Sequence, residues 1–94
     1  MNYMEASLRD MLKHGRKFER MRTEQEGVFI RKIPRSKYGH AYLAVEINPT
    51  GEDGLPMNKI GFLIRSQREL DAIRAILGSE KIEEIVQVIE GFQE

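Results

Sequence analysis

The stretch from Gly61 to Leu77 reads GFLIRSQRELDAIRAIL, and its hydrophobic period changes partway along. The first residues alternate in character with period two, as in a strand, and the later apolar residues recur with the period of a helix. The change falls at Ser66. A serine followed three residues later by Glu69 is a capping box, so this stretch predicts a strand that ends, and a helix that begins, at Ser66.

The helix after Ser66 places Leu70, Ile73 and Leu77 on one face. We expect Gly78 to end this helix in the left-handed conformation, which glycine adopts at little cost. Past Gly78, Ser79 is a second candidate cap. It predicts a last helix over Glu80 to Glu90.

Periodicity also predicts the elements before this stretch. Apolar residues at helical spacing indicate an amphipathic helix over Met4 to Met21, with Gly15 on its apolar stripe. Alternating residues predict three strands, which are Val28 to Ile33, Ala41 to Ile47 and Lys59 to Arg65. The predicted fold class is therefore α+β, a small antiparallel sheet of three to four strands with an N-terminal amphipathic helix and two C-terminal helices.

The size and composition of the chain restrict its organisation. Its 94 residues suffice for one core, so we interpret residues 1–94 as a single domain. Within it, Leu43, Val45 and Ile47 share the more apolar face of the second strand, and we expect that face to lie in the core. The chain has no cysteine and no apolar run of roughly 20 residues. We therefore expect a cytoplasmic protein that does not enter a membrane.

The charges are distributed unevenly, although the formal net charge is zero. Residues 1–45 contain ten Lys or Arg and five acidic residues, whereas residues 75–94 contain one basic and five acidic residues. A basic segment of this kind indicates an anionic partner, and the basic side of the first helix is one candidate contact surface for it. The alternative is that the basic and acidic segments pair with each other, within one chain or between two copies.

Signatures of catalysis are absent from the sequence. There is no glycine-rich phosphate loop, no HExxH pair and no nucleophile elbow. His14 and His40 lie in unrelated settings, and Glu52 and Asp53 lack the spacing of an EF-hand. We therefore expect a protein that is not an enzyme and that holds no metal and no cofactor.

Basic and aromatic residues are concentrated on the first two strands and the loop between them. Aromatic rings accept stacked bases, while lysine and arginine neutralise phosphates without reading sequence. We therefore predict binding of single-stranded DNA or RNA with little sequence preference. For Phe29 and Tyr42 the alternative is a place in the core, because aromatic residues supply much of the buried area of a small domain. The residues of the predicted surface are Phe29, Arg31, Lys32, Arg35, Lys37, Tyr38, His40 and Tyr42.

The order of these features resembles two families of nucleic-acid-binding proteins. A run of Pro56, Lys59, Gly61, Phe62 and Ile64 before a capped helix is similar to the segment that leads into the dimer-forming helix of positive-cofactor-4-like coactivators. The helix, three-strand, helix layout resembles more closely the archaeal ThermoDBP-related proteins. That resemblance implies binding of single-stranded nucleic acid in a basic, aromatic-bearing groove beside a sheet. The positions that match in kind are Arg31, Lys32, Arg35, Lys37, Tyr38 and Tyr42.

The last predicted helix carries an apolar stripe that is too extensive to leave in water. A homodimer formed through this helix would bury the stripe in both copies, and cyclic dimers are the commonest oligomers. The alternative is packing within one chain, against the first helix near Gly15. A second hypothesis for the function is accordingly a protein-interaction or assembly module with no nucleic-acid role. The predicted interface residues are Ile82, Ile85, Val86, Ile89 and Phe92.

Overall fold

The structure is a computed structural model that describes residues 3–93. Its elements in chain order are α1 (Tyr3–His14), β1 (Arg20–Arg22), β2 (Val28–Ile33), β3 (Tyr42–Ile47), β4 (Phe62–Ile64), α2 (Gln67–Leu77) and α3 (Glu80–Phe92). The predicted α+β class is confirmed, with an N-terminal helix, a four-stranded antiparallel sheet and two C-terminal helices. Within residues 3–93, no helix has the length and apolar character that crossing a membrane requires.

The four strands lie in the order β1-β2-β3-β4, so each strand pairs with its neighbour in the sequence. β2 and β3 pair along their whole length, from Val28 opposite Ile47 to Ile33 opposite Tyr42. β1 and β4 are short edge strands that pair over three residues each. Because partners across the register share a face and successive residues alternate, the sheet has two distinct faces. We name them the apolar face (Met21, Val28, Ile30, Lys32, Leu43, Val45, Ile47, Phe62, Ile64) and the Glu46 face (Arg20, Arg22, Phe29, Arg31, Ile33, Tyr42, Ala44, Glu46, Leu63).

The first helix is shorter than predicted. It ends at His14 instead of continuing to Met21, and the chain then turns through Phe18, whose φ is 60°. The following residues join the sheet, since the backbone of Lys32 exchanges hydrogen bonds of 2.9 Å with Phe18 and with Glu19. Pairing with β2 satisfies these backbone groups, and this tertiary contact outweighs a helical pattern that Gly15 already weakens.

The caps of the two C-terminal helices follow the prediction in part. The Ser66 hydroxyl accepts a hydrogen bond of 3.1 Å from the backbone N–H of Glu69, and α2 begins after it. The Glu69 carboxylate reaches back to the N–H of Arg65, at 3.0 Å, and not to that of Ser66. The prediction that Gly78 is left-handed is wrong, because its φ is −78°. Ser79 caps α3, which continues to Phe92, two residues beyond the predicted end.

The better-buried face of the sheet is not the one that the sequence predicted. Glu46 and Ala44, which lie on the Glu46 face, are buried, whereas Val45 and Ile47 on the apolar face are 36% and 39% exposed. The reason is that residues 49–61 fold back and contact the Glu46 face through backbone groups such as the carbonyl of Lys59. The two helices beside the apolar face leave an open groove between them.

Candidate nucleic-acid interface

The hairpin between β2 and β3 ends in a tight turn that presents two side chains of the predicted surface. The backbones of Ser36 and Gly39 pair through hydrogen bonds of 3.0 and 3.2 Å, which leaves Lys37 and Tyr38 at the tip. The Ser36 hydroxyl also accepts from the N–H of Tyr38, at 3.1 Å. Serine at the first and glycine at the fourth position are favoured in type I turns. The turn therefore holds the tip residues in a defined position.

An open groove of about 460 Å³ lies between this turn and the adjoining strand ends. Tyr38 is 87% exposed, which is unusual for a large aromatic side chain. The Nζ of Lys37 lies 5.2 Å from the centroid of the Tyr38 ring, within the range of a cation–π contact. A ring and a cation are thus presented to solvent together. The groove is lined by Ile33, Pro34, Ser36, Tyr38, Gly39, His40 and Tyr42.

Tyr42 forms the strand side of the groove, opposite Ile33 in the register. Its hydroxyl accepts a hydrogen bond of 3.1 Å from the Nε of Arg65, and this contact raises the pKa of Arg65. Arg65 follows β4 directly and also lies 3.6 Å from the carboxylate of Glu69. Tyr42 is only partly exposed, so its ring is neither enclosed in the core nor free of neighbours. A charged guanidinium therefore stands beside the second ring of the groove.

The structure divides the predicted surface into an exposed part and a buried part. Phe29, Arg31 and Lys32 are only 2%, 7% and 8% exposed. Their side chains cannot reach a nucleic acid while the sheet is folded, so they do not belong to the candidate interface. The exposed part consists of Arg35, Lys37, Tyr38, His40 and Tyr42.

Phe29 and Lys32 each have a structural partner instead. The Phe29 ring lies on the Glu46 face, and the guanidinium carbons of Arg20 and Arg22 stand 5.2 and 5.9 Å from its centroid. Lys32 is on the opposite, apolar face, where its Nζ donates to the carbonyl of Gly15 at 2.8 Å. For Phe29 the core alternative is therefore the one that the structure supports.

Arg31 belongs to a buried ion cluster around Glu46 that the sequence reasoning missed. Arg31 and Arg20 each donate to both carboxylate oxygens of Glu46, at 3.0 and 3.1 Å. The side chain of Asn48 and the N–H of Gly61 add hydrogen bonds of 3.0 and 2.7 Å. Burial by itself would raise the pKa of Glu46, but these donors outweigh it and lower the pKa to about 2. The carboxylate is ionised at neutral pH and is the counter-charge that the two arginines share.

The same cluster fastens residues 49–61 over the sheet. Arg20 and Arg31 donate to the carbonyl of Lys59 at 2.6 and 2.9 Å. Asn48 and Asn58 exchange hydrogen bonds of 2.8 and 3.1 Å. In the part of the chain that the structure describes, every buried side-chain nitrogen or oxygen has a partner. The cluster therefore has a structural role, which is to hold residues 49–61 against the sheet. Its sequence signal is a glutamate within an apolar strand and an arginine, Arg31, on the strand next to it, whereas Arg20 comes from β1, one strand further away.

The described residues hold no candidate metal site, and no known protein resembles the chain closely enough to indicate a function. Residues 3–93 contain no group of three or more His, Asp or Glu side chains arranged to hold a metal ion. Comparison with known proteins finds no match, whether among family models, curated proteins or solved structures. The resemblances noted in the sequence therefore stay predictions.

Proposed function

We propose that this protein binds single-stranded DNA or RNA, with little sequence preference, through the groove at the β2–β3 turn. The supporting observation is the juxtaposition of exposed rings and cations, with Tyr38 at the tip of the turn and Tyr42 on its strand side. Bases of any identity stack on such rings, and cations neutralise the phosphates between them. Lys37 lies over the Tyr38 ring and Arg65 donates to the Tyr42 hydroxyl. Arg35 and His40 are exposed on the same connection between β2 and β3, and His40 also lines the groove.

The shape of the site favours a single strand. The groove opens to solvent beside both tyrosine rings, so an extended chain with unstacked bases can reach the two rings. The turn is already hydrogen-bonded in the free protein, and binding therefore costs little ordering of its backbone. Stacking on two rings contributes about 2–6 kcal/mol. Because about 4 kcal/mol corresponds to a Kd of 1 mM, stacking alone gives a weak site, and phosphate contacts or a second groove must add to the affinity.

The direct test is fluorescence anisotropy with single-stranded and duplex oligonucleotides of equal length over a salt series. Single strands should bind more tightly than duplexes, and their affinity should fall steeply with salt because each phosphate contact releases counterions. Tyr38→Ala should weaken binding about 5-fold to 150-fold, the equivalent of about 1–3 kcal/mol for one stacked base. A folded Tyr38→Ala variant with wild-type affinity would exclude the groove as the nucleic-acid-binding site.

A matched control addresses the other basic surface. The variant Arg9→Ala with Lys13→Ala removes two exposed cations from α1 and leaves the groove intact. The groove proposal expects this variant to bind almost as tightly as the wild type at moderate salt. A loss as large as that of Arg35→Ala with Lys37→Ala would assign the contact to α1 instead.

A second candidate function is self-assembly, and the exposed C-terminal helices favour it. Among the described residues of α2 and α3, none is buried, and Phe92 is 69% exposed. We propose a homodimer in which α3 contributes the predicted interface residues. Light scattering without nucleic acid tests it, and a wild-type mass equal to that of one chain, 10.9 kDa, would refute it. The interface residues are Ile82, Ile85, Val86, Ile89 and Phe92.

A further inference from the structure

The apolar face of the sheet is only partly covered within one chain. Leu8 of α1 borders it on one side and Leu70 of α2 on the other, with an open groove of about 300 Å³ between them. Further along the same face, Ile47 and Phe62 are exposed as well. Monomeric proteins rarely leave a large contiguous apolar surface in water, and Ile47 and Phe62 extend the exposed part of this face beyond Val45 in the groove. The apolar residues that line the groove are Leu8, Ile30, Leu43, Val45, Ile64 and Leu70.

The apolar side of helix α3 is likewise left uncovered within one chain. Its apolar stripe, Ile82, Ile85, Val86 and Ile89, recurs at the i, i+3, i+4, i+7 spacing of a helix that buries one side. No residue of α3 lines the groove of its own chain. The radius of gyration is 16.2 Å, whereas a compact chain of 100 residues has about 13 Å. The chain thus carries an uncovered groove and an uncovered helix at the same time.

The connection between α2 and α3 keeps the helix from filling its own groove. Only Gly78 and Ser79 separate the two helices. The N–H groups of these two residues donate to the carbonyls of Arg74 and Ile76 in α2, both at 3.0 Å. A link this short, with both amides hydrogen-bonded to the preceding helix, gives α3 little freedom to fold back over the sheet.

We propose that α3 of a second copy lies in the groove between α1 and α2, and that two copies exchange their α3 helices reciprocally. This arrangement deepens the proposed self-assembly by naming what receives the helix, and it does not depend on nucleic-acid binding. A two-fold axis makes both contacts equivalent, so one geometry covers two helices and two grooves. A homotypic pair of α3 helices would cover the helices and leave both grooves open.

Charge complementarity also favours the exchanged arrangement. Residues 75–94 contain five acidic residues and one basic residue, so two α3 helices packed side by side would bring like charges together. Arg65 is part of the groove lining, and α1 beside the groove carries Arg9 and Lys13 at exposed positions. Arg9 and Arg65 also pair with Glu5 and Glu69 of their own chain through exposed contacts of 3.5 and 3.6 Å. An acidic helix beside this basic border forms opposite-charge pairs. The uneven charge of the chain is thereby balanced between copies.

Cysteine cross-linking distinguishes the two arrangements, because the chain has no native cysteine to interfere. Val45→Cys is prepared as one protein, and Ile82→Cys, Ile85→Cys and Ile89→Cys are prepared as three others. Oxidation of Val45→Cys mixed with a helix variant should produce covalent dimers at several times the yield of either protein alone. A helix variant that cross-links efficiently by itself, with no gain from the mixture, would show a homotypic α3 pair and overturn the proposal.

Light scattering separates failure of this arrangement from failure of self-assembly. The wild type should have twice the chain mass of 10.9 kDa. Val45→Glu in the groove and Ile85→Glu on the helix should each reduce the mass to that of one chain. Val88→Glu, which lies outside the stripe, should remain dimeric and is the matched control. A dimer that survives Val45→Glu and dissociates with Ile85→Glu overturns the exchange and keeps self-assembly, whereas a monomeric wild type overturns both.

Discussion

The guanidinium of Arg31 and the carboxylate of Glu46 are joined across neighbouring strands by two hydrogen bonds of 3.0 and 3.1 Å, with no exposed surface on Glu46. Desolvation of such a pair is costly, and the pair persists only when its remaining hydrogen-bonding groups are also satisfied. Here Arg20, Asn48 and the N–H of Gly61 supply the other donors to Glu46. One face of this small sheet is therefore closed by a polar network together with the buried Phe29 and Ala44, and not by apolar packing alone.

We predict that Glu46→Gln is strongly destabilising. The amide keeps the shape of the side chain but leaves the buried guanidinium groups without their counter-charge, which costs about 3–5 kcal/mol. Urea denaturation should show this loss. Glu84→Gln is the control. Glu84 forms an exposed ion pair with Lys81 at 2.9 Å, and loss of this pair should hardly change the urea midpoint of unfolding. Similar midpoints for the two variants would contradict a structural role of the cluster.

Stability should fall with acid through the titration of Glu46. Its folded pKa of about 2 lies below the ordinary value of 4.5, so the folded state binds this proton less readily than the unfolded state. The contribution is therefore fully present above about pH 4.5 and is lost as the pH falls towards 2. Thermal melts between pH 6 and pH 2 should decline more steeply for the wild type than for Glu46→Gln. Parallel curves would show that another group controls the acid transition.

The elements that the sequence predicted correctly are those set by local signals. β2 has the predicted bounds Val28–Ile33, and α2 begins after the Ser66 cap. Local patterns could not reveal where α1 ends, because residues after Gly15 continue an apolar spacing that suits a helix and leave it only to pair with β2. They could not reveal which sheet face is buried either, since that depends on where residues 49–61 fold.

The candidate interface shows the same division between local and long-range information. Alternation along β2 already separates Lys32 from Phe29 and Arg31, and in the structure Lys32 lies on the opposite face. Burial of Phe29 and Arg31 follows from the Glu46 cluster, which joins residues far apart in the chain. Arg65 was missed because its place beside Tyr42 depends on the pairing of β4 with β3. The exposed turn was foreseeable from its Ser-x-x-Gly pattern.

Gly61→Ala should destabilise the protein for a steric reason. A Cβ at this position would collide with the carbonyl of Ile47 and approach the Asn48 side chain to 2.7 Å. Relief of the clash requires a shift of backbone that also positions the N–H donor to Glu46, and overpacking of this kind costs about 1–3 kcal/mol. Gly91→Ala is the matched control, because nothing lies within 4 Å of its added Cβ. If the two variants melt at the same temperature, the close approach at Gly61 is not a constraint.

Two substitutions of Tyr42 should separate the contribution of its ring to oligonucleotide affinity from that of its hydroxyl. Tyr42→Phe removes the hydrogen bond to Arg65 and keeps the ring, so oligonucleotide affinity should stay close to that of the wild type. Tyr42→Ala removes the ring as well and should cost about 1–3 kcal/mol of binding. Anisotropy titrations at one salt concentration suffice. Equal losses in the two variants would mean that Tyr42 acts by holding Arg65 and not by stacking.

The salt dependence of binding should distinguish the cations of the turn from its ring. For single strands, each phosphate contact contributes about 0.7 to the slope of log affinity against log salt. Arg35→Ala with Lys37→Ala should therefore reduce the slope by about 1.4 if both side chains contact phosphates. Tyr38→Ala should lower the affinity by a similar factor at every salt concentration and leave the slope unchanged, because stacking releases no counterions. An unchanged slope in the double variant would place the phosphate contacts elsewhere on the protein.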